Sequence, residues 1–478
     1  MSARHPPLEF LRDQDLVRIE ETAFRLLDEV GISLQHAEAT EMLAGRGCRE
    51  IQGRVHIPRE AVEWALANVK QHHLLPTVRG TGGLALGDGQ IRFHNGGGPP
   101  FVYDLEDGRR RPALLRDVAH MTRLLDALPN VDVVIPLFGA QDVPPELMEL
   151  AGTAEMLRNT RKPVCSGGVD KAEQVPYVVE MAAACCGGTE AFRARPTMAI
   201  SVSPVSPMTF TGSVAGAIVA VARSGAPFHS LPCPSLGATG PITMAGCLAQ
   251  QHAEVLASFL IAASARPGVQ VLYCSRISPI DLRTAVSSWG GPEVGLAGAC
   301  AGQLAHRLEL ACNSYGLAGG VGLLDPQFAY QRLANALVPA LAGVDLLSGV
   351  GNTESGLAGG YEVAVIDDEI IGLLKRIARG CEVTEETLAY EVMREAITRD
   401  GVFLAEQHTV RQMRRGALWV PGISATPSSG EERHGVVAGA RARAQEILRT
   451  HEVEPLPEDV EKHLGEILER ARRELVRG

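Results

Sequence analysis

Apolar positions in the first seventy residues recur at three- and four-residue spacing. Leu16, Ile19, Ala23, Leu26, Leu27 and Val30 form one stripe, closed by Gly31; Ala61, Val62, Ala65, Leu66 and Val69 form another after Pro58. This periodicity predicts amphipathic helices and a helical preface over 14–70. From about residue 90 the rhythm changes. Short apolar runs at 91–95, 131–138, 163–166, 198–203, 228–233, 269–274, 312–317 and 345–349 alternate with longer amphipathic or Ala-rich stretches at 115–128, 146–158, 174–186, 212–223, 244–265, 293–308 and 330–341.

Such alternation implies parallel strands joined by crossover helices. Eight repeats predict closure into an α/β fold of the (β/α)8 TIM barrel type. The competitor is a doubly wound open sheet, but the first strand-to-helix passage has no Gly-x-Gly-x-x-Gly fingerprint. Instead Asn95-Gly96-Gly97-Gly98-Pro99 runs into Phe101-Val102-Tyr103-Asp104, which is not a helix start. Beyond residue 381 the pattern turns helical and charged again over 383–399, 434–449 and 457–476, with loops at 419–422 and 425–430. The predicted organisation is an N-terminal helical region (1–85), a barrel (86–380) and a C-terminal helical region packed on it (381–478).

Barrels of this kind carry their chemistry on the loops after the carboxyl ends of the strands. Those positions offer His94, Asn95, Phe138, Ser166, Asp170, Phe210, His229, Tyr273, Arg276, Tyr315, Asn352 and Glu354. The set is rich in aromatics and amides and poor in carboxylates, so paired-carboxylate acid/base chemistry is not expected. His94 and His229 are single histidines on separate strands, and no His-Glu-x-x-His or paired Cys/His spacing occurs; no metal is expected on this chain. The glycine-rich turns 318–322 and 349–353 suit either a phosphate or close approach by a large ligand.

A net charge of −11 argues against nucleic acid or an anionic membrane as partner. Aromatics are only 4% of the chain, so the core must rest on Ala, Val, Leu and Ile. Ten cysteines without a metal-type Cys-x-x-Cys pair suit reduced, buried thiols and predict a cytoplasmic protein. The first thirteen residues lack the apolar core of a signal peptide.

Several motifs resemble the trimethylamine:corrinoid methyltransferase family. They are Leu236-Gly237-Ala238-Thr239-Gly240-Pro241 followed by Ile242-Thr243-Met244-Ala245-Gly246, and Gln250-Gln251-His252-Ala253-Glu254-Val255-Leu256-Ala257. Tyr103-Asp104-Leu105-Glu106-Asp107-Gly108, Ala127-Leu128-Pro129-Asn130-Val131-Asp132, Arg266-Pro267-Gly268 and Asp367-Asp368-Glu369-Ile370-Ile371-Gly372 agree in order and spacing. The resemblance runs from about residue 15 to 470. It implies a (β/α)8 fold and transfer of a methyl group from an amine to the Co(I) corrinoid (cobalamin) of a separate protein. Every residue is a standard one, which resembles the branch without pyrrolysine, whose members demethylate glycine betaine and related quaternary amines. The sequence departs from many relatives at Val321-Gly322-Leu323-Leu324, where they carry polar residues.

On this reading a quaternary ammonium leaves as a neutral amine and needs no proton, so the protein has only to position it. Phe101, Phe138, Phe210, Tyr273 and Tyr315 are the candidate faces for the cation. Arg276, His229 and Asn95 are candidates for a substrate carboxylate, with Arg276 favoured for its bidentate geometry and a salt bridge to Asp281 as its competing role. Asn352 and Glu354 complete the expected substrate site, and Gly96, Gly97, Gly349 and Gly351 are expected to make room for the corrinoid. The expected partners are a corrinoid protein, a small quaternary amine and further copies of the chain. The alternatives are a barrel that binds or senses a ligand without transfer, and demethylation of trimethylamine or another methylated compound.

Overall fold

The computed structural model describes residues 6–70, 73–169, 171–399, 401–424 and 435–476. Strands Arg92–Asn95, Val164–Cys165, Met198–Val202, Phe228–Ser230, Val269–Ser275, Cys312–Tyr315 and Leu346–Val350 form a parallel sheet that curls until the last pairs with the first. Residues 133–134 supply the eighth stave. Val133 bridges His94 and Val134 bridges Val164, both in parallel, and close the barrel.

That second stave is irregular because Pro136 has no N–H to give the ladder. The Asn95 side chain replaces the missing bonds: its Oδ1 accepts from Ile135 N (2.9 Å) and its Nδ2 donates to Ile135 O (2.8 Å). Helices Leu115–Ala127, Met148–Asn159, Val175–Cys185, Gly212–Ser224, Met244–Ala265, Glu293–Arg307, Pro326–Leu341 and Tyr361–Ala378 follow the eight staves and surround them. Their ends follow local chemistry. Thr211 and Asp325 accept from the first-turn N–H groups of their helices, and Gly225 takes the left-handed conformation that ends Gly212–Ser224.

The barrel interior is filled by Val133, Ile135, Cys165, Ala199, Leu272, Cys274, Ala311 and Leu346. Leu75 and Leu86, from the hairpin His73–Leu75/Leu84–Leu86, join that cluster and plug the amino-terminal end, so the opening lies at the other. Helix Met244–Ala265 is buried on nearly all sides because helices Asp13–Arg25, Ala37–Ala44 and Arg59–Ala67 pack over it. Helices Val436–Thr450 and Glu458–Leu475 pack on barrel helices. The expected loop at 425–430 lies outside the described residues, as does Asp170.

The preface is less uniformly helical than its periodicity predicts. It contains the hairpin Arg49–Ile51/Arg54–His56, turned by Gln52 and Gly53 at positive φ, and the strand Ser33–Leu34. The turn chemistry overrides a short apolar pattern. The expected helix over 383–399 is broken at Ala389, whose φ is 53°, and a further helix, Gln407–Arg414, follows.

Candidate functional site

A cavity of about 230 Å³ opens at the carboxyl ends of the strands. At about 30 Å³ per water it has room for roughly eight waters, or one small organic molecule.

Arg276 forms one wall. It follows strand Val269–Ser275, is 7% exposed, and donates from Nη1 to Ser275 O (2.8 Å) and from Nη2 to Asn313 Oδ1 (3.0 Å). No carboxylate among the described residues pairs with it; Asp281, its expected partner, pairs with Arg283 instead. The Asn313 amide meets His94 Nε2, at 3.1 Å from its Nδ2 and 3.3 Å from its Oδ1, and His94 Nδ1 is buried without a partner among the described residues. Burial, reinforced by the Arg276 charge, pulls His94 down to about 3, so it stays neutral.

Beside Arg276 stand two aromatic rings. Trp289 and Tyr315 meet with centroids 4.6 Å apart at 41°, and the Arg276 guanidinium lies 5.5 Å from the Tyr315 centroid. Asn352 Nδ2 donates to Tyr315 Oη (3.0 Å) and fixes that ring. The rest of the lining includes Ser166, Ser201, His229, Cys233, Ser348 and Ser355. Cys233 is an exposed free thiol at this lining. No carboxylate lines the cavity among the described residues. The chamber therefore joins a guanidinium that no described carboxylate neutralises to an aromatic corner.

Of the residues singled out in the sequence, His94, Asn95, Gly96, Gly97, Ser166, His229, Arg276, Tyr315 and Asn352 come together here. The Asn95 amide is occupied by backbone, bonding Gly96 O as well as Ile135, so its part is to close the barrel. The other described residues lie elsewhere. The Phe101 ring is under the Arg110 guanidinium in a rim hairpin. Phe138 is buried against Gly359, and Phe210 is fully buried beside Leu34. Tyr273 points out of the barrel, where its hydroxyl meets His252 Nδ1 at 3.0 Å. Its neighbours Leu272 and Cys274 face inward, and strand side chains alternate, so Tyr273 cannot. Glu354 turns to Tyr103 and Arg110, beneath the loop at 321–324. Gly349 abuts Leu317 and Gly351 abuts Leu137, so neither opens on the cavity.

The residue missed in the sequence is Trp289. The available signal was composition and place: it is one of three tryptophans, set in Trp289-Gly290-Gly291-Pro292 before a barrel helix.

Two expectations follow from this geometry. A Cβ on Gly96 would sit 1.9 Å from Asn352 Nδ2. Gly96→Ala should displace that amide, release Tyr315 and lower kcat/KM roughly tenfold or more, since about 1.4 kcal/mol is tenfold; steady-state assays read it. The second concerns pH. His94 at about 3 and His252 at about 4, both lowered by burial, bind fewer protons folded than unfolded below pH 6.5. Their stabilisation is therefore complete above the unfolded value and is lost as pH falls toward 4, by up to about 1.4 kcal/mol per pH unit for each. Urea midpoints at pH 7 and pH 5 should differ accordingly, and His252→Gln should shrink the difference.

Fold and site together define a (β/α)8 barrel with a chamber of about 230 Å³ at the carboxyl ends of its strands. Residues 1–476 match the trimethylamine methyltransferase (MTTB) family, and the chain belongs to it. It is 30% identical to the trimethylamine methyltransferase MttB of Desulfitobacterium hafniense over 96% of this chain and 92% of that protein. To the glycine betaine methyltransferase of Desulfitobacterium hafniense strain Y51 it is 28% identical, over 96% of each chain. The trimethylamine methyltransferase MttB of Methanosarcina barkeri is 26% identical over 97% of this chain and 95% of its own. The protein is a methyltransferase, as the motifs led us to expect. No helix among the described residues is long and apolar enough to cross a membrane.

Proposed function

We propose that this enzyme moves a methyl group from a small quaternary amine bearing a carboxylate, of the glycine betaine type, to the Co(I) corrinoid of a separate protein. The observation that carries the reading is Arg276, buried, facing the cavity and without a carboxylate partner among the described residues, beside the Trp289–Tyr315 corner. A buried guanidinium without a counter-ion is costly unless a ligand supplies one. A carboxylate on Arg276 puts the trimethylammonium of the same molecule against the two rings, each worth roughly 0.5–2 kcal/mol to a cation. Trimethylamine has no group for Arg276. The glycine betaine methyltransferase among the relatives agrees with this choice.

The rim suits approach by a large methyl acceptor. Gly98 and Gly356 each face open space where a Cβ would stand. Among the described residues no three His, Cys, Asp or Glu side chains are grouped to hold a metal. The corrinoid supplies the nucleophile that accepts the methyl group. The chain's own residues hold the cation, orient one N–CH3 bond toward the mouth and exclude water. The leaving group is a neutral tertiary amine, which explains a chamber that needs no proton donor.

The test is methyl transfer to free cob(I)alamin, followed in the visible spectrum, with glycine betaine, other betaines and trimethylamine as donors. Methylcobalamin formed from carboxylate-bearing donors is expected; transfer from trimethylamine alone would overturn the reading. Trp289→Leu and Tyr315→Leu should each raise KM about 3- to 30-fold with a smaller change in kcat.

A further inference from the structure

The run Gln250-Gln251-His252-Ala253-Glu254 takes no part in lining the chamber, yet it places four polar side chains in helix Met244–Ala265, which is covered on nearly all sides. Polar groups so buried are costly unless paired. Each of the four has a partner. Glu254 accepts from Ser206 Oγ (2.8 Å) and Met208 N (2.9 Å). Gln250 Nε2 donates to Thr239 O (2.8 Å) and Glu254 Oε1 (3.0 Å). His252 Nδ1 meets Tyr273 Oη. Gln251, fully buried, accepts from Ser275 Oγ (2.7 Å) and donates to Tyr273 Oη (3.4 Å). Of these contacts the one at Ser275 lies beside the chamber wall. Ser275 precedes Arg276, and its carbonyl accepts from Arg276 Nη1 (2.8 Å). The sheet holds this strand end on one edge only. Strand Val269–Ser275 pairs with Cys312–Tyr315 as far as Ser275, whereas its ladder with Phe228–Ser230 stops at Tyr273. Side chains alternate along a strand, so Tyr273 and Ser275 share the outer face and one carboxamide bridges both.

We propose that Gln251 is a positioning residue for substrate: from outside the barrel it fixes the end of strand Val269–Ser275, and through Ser275 it sets where the Arg276 guanidinium meets a carboxylate. The proposal rests on the reading that Arg276 binds the substrate carboxylate. Without Gln251 the outer face of the strand end is unheld. The Ser275 peptide can then turn, and its carbonyl no longer keeps Arg276 Nη1 in one place. A carboxylate takes two parallel bonds from a guanidinium only when the two planes align, so a small rotation weakens that pairing. The aromatic corner is untouched, because Trp289 and Tyr315 are placed by other segments, Tyr315 through Asn352. Gln251 therefore acts on cations that carry a carboxylate and not on those that lack one. His252 still holds the Tyr273 hydroxyl when Gln251 is replaced, so the loss is confined to Ser275.

The test is calorimetric titration of the full chain with glycine betaine and with tetramethylammonium, beside methylation of cob(I)alamin by each. Gln251→Met keeps the length of the side chain and removes both of its bonds. It should weaken glycine betaine binding about 3- to 10-fold and raise KM by the same factor, with kcat and tetramethylammonium binding changed less than about twofold. Ser275→Ala removes the same bond from its other end and should give the same loss. The double variant should lose no more than either single one, since the two residues act through one contact. Equal weakening of both cations would show a general loosening of the fold and overturn the proposal. Losses that add in the double variant, or betaine affinity unchanged in both single variants, would overturn it as well. Arg276→Leu in the same titrations separates this proposal from the reading beneath it. If Arg276→Leu leaves the preference for glycine betaine intact, the carboxylate reading fails and the proposal with it. If Arg276→Leu abolishes the preference while Gln251→Met and Ser275→Ala leave it unmoved, the positioning role alone fails.

Discussion

Arg276→Leu should lower kcat/KM for glycine betaine by about 30- to several-thousand-fold, because losing one side of a buried charge pair costs about 2–5 kcal/mol. The loss should fall mainly on KM, since the carboxylate is held equally in the ground and transition states. The same change should leave the fold almost as stable as before. Among the described residues Arg276 has no carboxylate partner, so leucine removes a buried charge and frees only neutral acceptors at Ser275 O, Asn313 O and Asn313 Oδ1. Those cost about 1 kcal/mol each, against the relief of desolvation. A carboxylate-free cation such as tetramethylammonium serves as control and should lose far less. Steady-state kinetics beside urea unfolding of one preparation separates the two effects. A variant that unfolds but, where folded, keeps its betaine kinetics would show Arg276 to be structural.

Arg332 behaves in the opposite way. Its side chain and that of Asp367 are both fully buried, and they meet through two bonds, Nε to Oδ1 at 2.6 Å and Nη2 to Oδ2 at 2.5 Å. Arg332 also donates to Asn352 O (2.7 Å) and Gly349 O (3.1 Å), and Asp367 accepts from Gly351 N (2.8 Å). The pair thus clamps the end of the last stave, where Asn352 fixes Tyr315. Asp367→Ala should cost about 3–5 kcal/mol of stability, because it strands a buried cation. Arg332→Met combined with Asp367→Leu should recover part of that loss, since an apolar pair of similar volume avoids the desolvation. Methyl transfer should stay low in the double variant, because the carbonyls of Gly349 and Asn352 remain unheld. Denaturant unfolding of the two single variants and the double variant tests the cycle, and additive losses would refute the coupling.

The contrast between these two arginines was not legible in the sequence. Both follow ordinary patterns, one after a strand and one within a helix. What separates them is whether a carboxylate far along the chain comes into reach. Asp367 does, thirty-five residues from Arg332; Asp281, only a few residues from Arg276, does not. Tyr273 shows a different limit. Its outward direction follows from strand alternation once the register is fixed, but the run 269–274 is apolar on both faces, so the sequence leaves the phase open. Phe101, Phe138 and Phe210 were placed by their nearness to strand ends, yet one joins a rim hairpin and two join the packing around the barrel. Trp289 was overlooked because it stands fourteen residues beyond its strand, across a hairpin that folds it back to the mouth.

By itself the sequence determined the alternation of eight strands and helices, the end of the barrel at which the cavity opens, and the motifs of the family. These are local or periodic properties, fixed by which side chains must leave water and at what spacing. Only the tertiary structure decided which strand-end residues share a chamber, that Arg276 faces it with no counter-ion among the described residues, and that Trp289 lines it. Those outcomes depend on strand phase, loop path and the meeting of charges distant in the chain, where small differences in burial and pairing choose among arrangements that the pattern alone permits.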